Sequence, residues 1–391
     1  MTSTSSTSTG PTASDPLARI VASGVSPWLD DLSRARLRSG GLADLVRTAH
    51  VLGVTTNPTI FDKAIADGEA YDEQVAALAA EGADAEAAVR ALTTDDVRTA
   101  ADLFAQLLPD PRPGDARVSI EVDPRLAHDT EGTIEQARAL WRLVDRPNVY
   151  IKIPATTEGL AAIPAVIAEG ISVNATLIFS PDTYRAVANA YVDGLEQAHV
   201  AGVDLSTIAS VASVFLSRID AAVDPLLTEV GTEEALGLRG RTALAGARVS
   251  YEAFTEIFSS PRFTDLAAAG AHVQRPLWAS TGTKNPDYPD TLYVDELVAP
   301  DVVNTMPEKT LRAAADHARV PEGDGPFDTV TPNVADAHAV LEAVVRVGVD
   351  YDGALADLER DGVSSFIASW ENLLLTVADS LEQARAAGNG H

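Results

Sequence analysis

Short runs of β-branched and apolar residues alternate with longer stretches of helical periodicity along nearly the whole chain, and this alternation restricts the fold more than any other feature. A chain that forms a helix between one strand and the next builds a parallel sheet, because parallel neighbours need a crossover while antiparallel ones do not. Eight runs are expected as strands: Val25–Asp30, His50–Asn57, Arg117–Asp123, Asn148–Pro154, Ile171–Thr176, Thr207–Phe215, Arg275–Thr281 and Asp301–Met306. A helical candidate follows nearly every one. Eight parallel strands with crossover helices point to an α/β fold of the (β/α)8, TIM-type barrel kind. An open doubly wound sheet is the competing architecture. Its usual nucleotide-binding signatures, G-x-G-x-x-G after a strand or G-x-x-x-x-G-K-[ST], are absent.

A bare barrel of this kind needs about 250 residues, so a chain of 391 carries extra helices. The surplus falls in Pro58–Pro109, in Asp220–Arg275 and after Pro307, where a final helix is expected over Val363–Ala387. The stretch Pro109–Gly114 (PDPRPG) marks a sharp turn into the third strand, and no Gly/Pro/Ser-rich linker divides the chain. A single barrel domain with helical insertions is therefore expected over residues 16–388, preceded by a disordered Ser/Thr-rich tail at 1–15. The tail lacks the basic and apolar regions of a secretory leader, so a cytoplasmic location is the expectation.

Composition removes several function classes. Lysine and arginine total 29 against 57 acidic residues, a formal charge of −28 that repels nucleic acid and anionic membrane surfaces. No apolar run approaches the roughly 18 residues that span a bilayer. The absence of cysteine excludes disulfides, a thiolate nucleophile and Cys-ligated metals.

The chemistry shows on one face of the strands. In RVSIEVD, Val118, Ile120 and Val122 alternate with Ser119, Glu121 and Asp123, as strand side chains do. The apolar set meets the surrounding helices, which sends Glu121 into the lumen near the carboxyl end of its strand, where barrel enzymes carry their chemistry. In VYIKIP the same alternation puts Tyr150 and Lys152 inside. The chain has only four lysines, Lys63, Lys152, Lys284 and Lys309. One kept between Ile151 and Ile153 suggests a use that arginine cannot serve: a desolvated amine gives up its proton more readily and can attack a carbonyl to form a Schiff base. The alternative is a strand-end lysine that snorkels to solvent or pairs with Glu121.

Other strand ends carry short polar groups: Asp30, Thr55 and Asn57, Asn174 and Thr176, and Ser213. Each has an ordinary structural use. Asp30 and Ser213 could cap helices, Asn57 before Pro58 suits a turn, and Thr176 is a good strand residue. Together they would gather an amine, two carboxylates, two amides and several hydroxyls at one rim, a concentration that folding does not need.

These segments resemble the transaldolases of actinobacteria. The resemblance rests on WLDDLSR (28–34), GVTTNPTIF (53–61), SIEVDPRLAHDT (119–130), YIKIPATTEGL (150–160), VNATLIFS (173–180), WASTGTKNPDY (278–288) and NTMPEKTL (304–311). It implies a (β/α)8 barrel that moves a dihydroxyacetone unit from sedoheptulose 7-phosphate to glyceraldehyde 3-phosphate, giving erythrose 4-phosphate and fructose 6-phosphate, with neither cofactor nor metal. Sugar phosphates are the partners it implies. Lys152 stands at the family's Schiff-base lysine and Asp30 at the residue that takes the C4 hydroxyl proton. Glu121 matches the residue that works through a water held by Thr176. Asn57 and Asn174 match amides that orient the intermediate, with Thr55 beside the first. Ser213 matches a donor-sugar contact, with Phe215 next to it. For the phosphate, the resemblance points to Arg218. After the seventh strand, where the best-known members carry arginine, this chain reads GTKN, which leaves Lys284 as the second cation and Ser280 as an added hydroxyl. Surface ion pairing for the two cations and a rim role for Ser280 remain the alternatives. Two rival functions share the scaffold: an aldolase releasing free dihydroxyacetone, and a barrel that binds sugar phosphate without turning it over.

Overall fold

The computed structural model describes residues 15–388 apart from positions 67 and 324, so the tail expected at 1–15 lies outside the described residues except for Asp15. That residue opens the first helix, Pro16–Ala22, its carboxylate accepting the Ala18 amide at 3.2 Å.

Eight strands close into a parallel barrel in sequence order: β1 Val25–Leu29, β2 Gly53–Val54, β3 Arg117–Glu121, β4 Val149–Pro154, β5 Val173–Ile178, β6 Ser210–Phe215, β7 Gln274–Ala279 and β8 Val302–Met306, with β8 pairing β1. Each of the eight expected runs overlaps a strand, but several bounds differ. The second run shrinks to two residues. It enters through His50 in the left-handed region, φ 53°, and stops at Val54, leaving three residues before the next helix, Pro58–Ala66. The third stops at Glu121, and Asp123 leaves the lumen face to cap a 3-10 turn, Pro124–Leu126, accepting the Arg125 amide at 2.9 Å. The fifth runs past Thr176 to Ile178 through an irregularity. Ala175 pairs Ala212 and the next pair is Ile178 with Val214, so β5 carries one extra residue. Leu177 takes the strain of that bulge, with φ 60°.

The amino-terminal end of the lumen is plugged. Trp28 of β1 and Tyr150 of β4 stack with ring centres 6.0 Å apart, an arrangement worth about 0.5–1.5 kcal/mol beyond burial. Gly53 makes room for the indole, since a Cβ there would sit 2.5 Å from the Trp28 ring. Beneath the rings Arg275 and Asp115 form an ion pair at 2.9 Å, 4% and 3% exposed. Asp115 also accepts from Ser26 Oγ and Trp28 Nε1, and Arg275 donates to Ser26 Oγ and the Val302 carbonyl. Every strong donor and acceptor on this floor therefore has a partner. Closed below among the described residues, the lumen opens at the carboxyl ends of the strands.

The helical surplus lies where it was expected. Asp72–Ala80 and Ala85–Leu107 follow Pro58–Ala66 between β2 and β3, and Thr242–Phe258 lies between β6 and β7. The final helix departs most from expectation, beginning at Tyr351 and running to Gly388. Its buried residues, among them Leu355, Gly362, Phe366, Leu373, Val377 and Leu381, fall at spacings of four and seven, along one face. That face packs on the Pro58–Ala66, Asp72–Ala80 and Ala85–Leu107 helices, on the Ser217–Val230 helix and on β5, so it crosses the open end of the barrel. Ser369 and Thr59 hydroxyls meet at 2.8 Å and Thr376 donates to Asp62 at 3.2 Å, pinning it there.

Candidate active site

The period-two alternation of β3 and β4 sets the centre of the site. Glu121 and Lys152 are register partners on neighbouring strands, so their side chains leave the same face side by side. Lys152 Nζ donates to Glu121 Oε2 at 3.1 Å and to the Thr56 carbonyl at 3.0 Å. Lys152 is 4% exposed, so it pairs with Glu121 but does not snorkel to solvent. Burial pushes the Glu121 carboxyl above its ordinary value, opposed by the charge and hydrogen bond of Lys152 and reinforced by Asp30.

Asp30 continues β1, its amide still bonded to the Met306 carbonyl at 2.8 Å. It caps no helix, since Ser33 does that for Arg34–Arg38. Thr55 Oγ donates to Asp30 at 2.7 Å and lies 2.7 Å from Thr305 Oγ. A hydroxyl has one proton, so with Asp30 ionised the protons run from Thr305 to Thr55 to Asp30. Desolvation dominates and raises the Asp30 carboxyl above its usual range, although Thr55 and Lys152 pull the other way. A carboxyl shifted upward can exchange a proton nearer neutrality, as acid–base work requires.

Across the lumen, Asn174 and Ser213 form a buried chain. Ser213 Oγ donates to Asn174 Oδ1 at 2.7 Å, and Asn174 Nδ2 donates to Ser119 Oγ at 3.1 Å. Thr176, on the bulge of β5, has a fully buried hydroxyl that finds no partner among the described residues. A buried hydroxyl left alone costs about 1–3 kcal/mol, so it calls for a ligand or ordered water.

These groups face a cavity of about 340 Å3. Asp30, Thr55, Asn57, Lys152, Thr176 and Ser213 line it, as do Phe215, Arg218, Ser280 and Lys284, while Glu121 and Asn174 act on it through the hydrogen bonds above. Asn57 does double duty, because its Oδ1 also accepts the Ile60 amide at the start of the Pro58–Ala66 helix. Ser280, with φ 54°, closes β7 and places its hydroxyl 2.9 Å from Ser217 Oγ. Arg218 is half-buried and forms no ion pair among the described residues, so surface pairing does not account for it. Its burial holds the guanidinium below its ordinary value, with Asp30 and Glu121 opposing.

Among the lining residues that the sequence reading did not single out are Thr305, Lys63 and Phe366. Thr305, the penultimate residue of β8, carried the same signal as the other strand-end hydroxyls. Lys63 belongs to the four-lysine set, of which three, Lys63, Lys152 and Lys284, line this one cavity. Phe366 comes from the final helix, and nothing local in its sequence marks it. The cations gather against a chain charge of −28, making a local attraction for anions in a repelling field.

A family model described as transaldolase/fructose-6-phosphate aldolase matches residues 27–377. Among curated proteins, transaldolase 1 of Streptomyces coelicolor is 58% identical over 372 residues, covering 95% of this chain and 96% of that protein. The transaldolase of Thermobifida fusca is 57% identical over 366 residues, 94% of this chain and 98% of its own length. That of Mycobacterium bovis is 56% identical over 375 residues, 95% and 99%. With a closed eight-stranded barrel, a buried lysine–glutamate pair in its mouth and likeness over almost its full length, the chain belongs to the transaldolase/fructose-6-phosphate aldolase family.

Proposed function

We propose that this chain is a transaldolase that carries a dihydroxyacetone unit from sedoheptulose 7-phosphate to glyceraldehyde 3-phosphate on Lys152, giving erythrose 4-phosphate and fructose 6-phosphate. The observation that carries the reading is one buried amine, 3.1 Å from Glu121, in a polar cavity that also holds Asp30.

The Lys152 amine attacks the ketose carbonyl carbon, and the resulting carbinolamine loses its hydroxyl as water to give the iminium. Glu121 gives and takes the protons of these steps through a water that the unpartnered Thr176 hydroxyl helps to hold. Asp30 removes the C4 hydroxyl proton. The C3–C4 bond breaks, its electron pair passes into the iminium to form an enamine, and the first aldehyde leaves. The enamine then attacks the acceptor aldehyde, Asp30 returns its proton to the new alkoxide, and water releases the product ketose. Asn57, the Asn174–Ser213 chain and Thr55 orient the hydroxyls of the three-carbon unit, with Phe215 bounding it. Arg218 and Lys284, with Ser280, receive the phosphate; Arg218 offers a planar fork and Lys284 a point charge. A cytoplasmic location, among phosphorylated sugars, completes the reading.

Incubation with fructose 6-phosphate and borohydride should leave a dihydroxyacetone-derived adduct on the peptide containing Ile151-Lys152-Ile153, and Lys152→Ala should be inactive. A coupled assay with fructose 6-phosphate and erythrose 4-phosphate should show transfer. Release of free dihydroxyacetone without transfer would make the protein an aldolase, and an adduct elsewhere or an active Lys152→Ala would end the Schiff-base assignment.

A further inference from the structure

Acidic residues outnumber basic ones almost two to one in this chain, and the buried arginines Arg34, Arg248 and Arg275 are matched to Asp96, Glu296 and Asp115. Arg218 is different. Its side chain makes neither a hydrogen bond nor an ion pair among the described residues. Aromatic rings hold it instead: its Cζ lies 5.3 Å from the centre of the Phe215 ring and 5.7 Å from that of Phe366. Both distances fall within the range of cation–π attraction.

Phe366 is 4% exposed and comes from the final helix. One turn earlier on the same face stands Gly362. A Cβ there would lie 3.0 Å from Leu177 Cδ2 and 3.7 Å from Arg218 Nη1. The helix thus presents no side chain where the guanidinium edge passes and a ring where it rests. A ring face engages the guanidinium above its plane, while the five N–H donors lie in that plane. A carboxylate anchor would have occupied those donors and repelled an incoming dianion. The aromatic anchor does neither.

We infer that Phe366 is a positioning residue for phosphate recognition: with Phe215 it fixes the Arg218 guanidinium by contact with its π faces and leaves the N–H edge free for the phosphate of the substrate. The inference rests on the reading of Arg218 as a phosphate ligand. It makes the final helix part of substrate selection, although it lies far in sequence from every strand.

The test compares second-order rates of borohydride-trapped adduct on Lys152 for fructose 6-phosphate and for dihydroxyacetone, which carries no phosphate, in wild type, Phe366→Leu, Phe366→Trp and Arg218→Ala. Phe366→Leu should lower the ratio of the two rates by about 5- to 30-fold, the loss of one partly desolvated cation–π contact. Inhibition by inorganic phosphate should weaken by a similar factor. Phe366→Trp, which keeps a ring, should recover most of the ratio, and in an Arg218→Ala background Phe366→Leu should add no further change. An unchanged ratio in Phe366→Leu, or a loss that persists without Arg218, overturns the role of Phe366. If Phe366→Leu does not melt cooperatively, Phe366→Met fills the space without a ring and carries the same comparison. The underlying phosphate reading fails separately, when Arg218→Ala itself slows both donors in equal proportion.

Discussion

Removing Asp115 should destabilise the barrel far more than removing an ordinary surface carboxylate, and the floor of the lumen gives the size of the effect. Asp115→Ala leaves the Arg275 guanidinium, 4% exposed, with hydroxyl and carbonyl partners but no counter-charge, and deprives Ser26 Oγ and Trp28 Nε1 of their acceptor. Breaking one side of a buried pair costs about 3–5 kcal/mol. Unfolding entropy near 60 °C is about 2.1 cal/mol/K per residue, or about 0.8 kcal/mol/K for a chain of this length, so the melting temperature should fall by about 4–6 °C. Asp115→Leu combined with Arg275→Met removes both charges and should be less destabilised than Asp115→Ala, because the larger part of the single loss is the stranded charge rather than the lost attraction. Scanning calorimetry of Asp115→Leu, Arg275→Met and their double variant, which close the cycle with wild type, and of Asp115→Ala measures this directly. A single variant within about 1 kcal/mol of wild type, or a double variant as unstable as the summed singles, would refute the view of the floor as a coupled pair.

The two carboxylates of the mouth should fail at different steps: Asp30→Asn should still form a reducible imine on Lys152 without cleaving the donor, while Glu121→Gln should form the imine slowly, and equal trapping and equal cleavage in both would remove the division. Asp220 supplies a pH test. It accepts from Tyr293 OH at 2.6 Å and from the Ala243 amide, and burial raises its carboxyl to about 6. The folded state therefore holds that proton more tightly than the unfolded chain, so this contribution to stability is present below about pH 4 and is lost as the pH rises towards 6. Asp220→Asn should flatten urea midpoints across that window relative to wild type, and the same slope in both proteins would contradict it.

The strand faces were legible because alternation needs only neighbouring residues. RVSIEVD and VYIKIP are enough to send Glu121 and Lys152 inward, and adjacent strands do the rest, making them register partners. Legibility failed where a position depends on contacts remote in sequence. Asp123 looked like one more inward residue until Arg125 and the Pro124–Leu126 turn drew it out of the strand. The extra residue in β5 cannot be seen from VNATLIF, because a bulge exists only relative to a partner strand. Phe366 and Gly362 belong to a helix whose amphipathic pattern says that one face is buried, but not that the burying surface is the mouth of the site. Glycines at 353 and 362 also hid the early start of that helix, since glycine weakens a helical pattern that packing here restores.

Because the mouth is roofed by the last long helix, the order of synthesis matters to the chemistry. The sheet can close once Met306 has left the ribosome, yet Phe366 is made about 60 residues later, which is roughly 3–12 s at typical rates of translation. A nascent chain whose sheet has closed in that interval presents Lys152 and Glu121 at an opening that the helix does not yet cover. The barrel scaffold is thus encoded before the stretch of chain that covers its mouth.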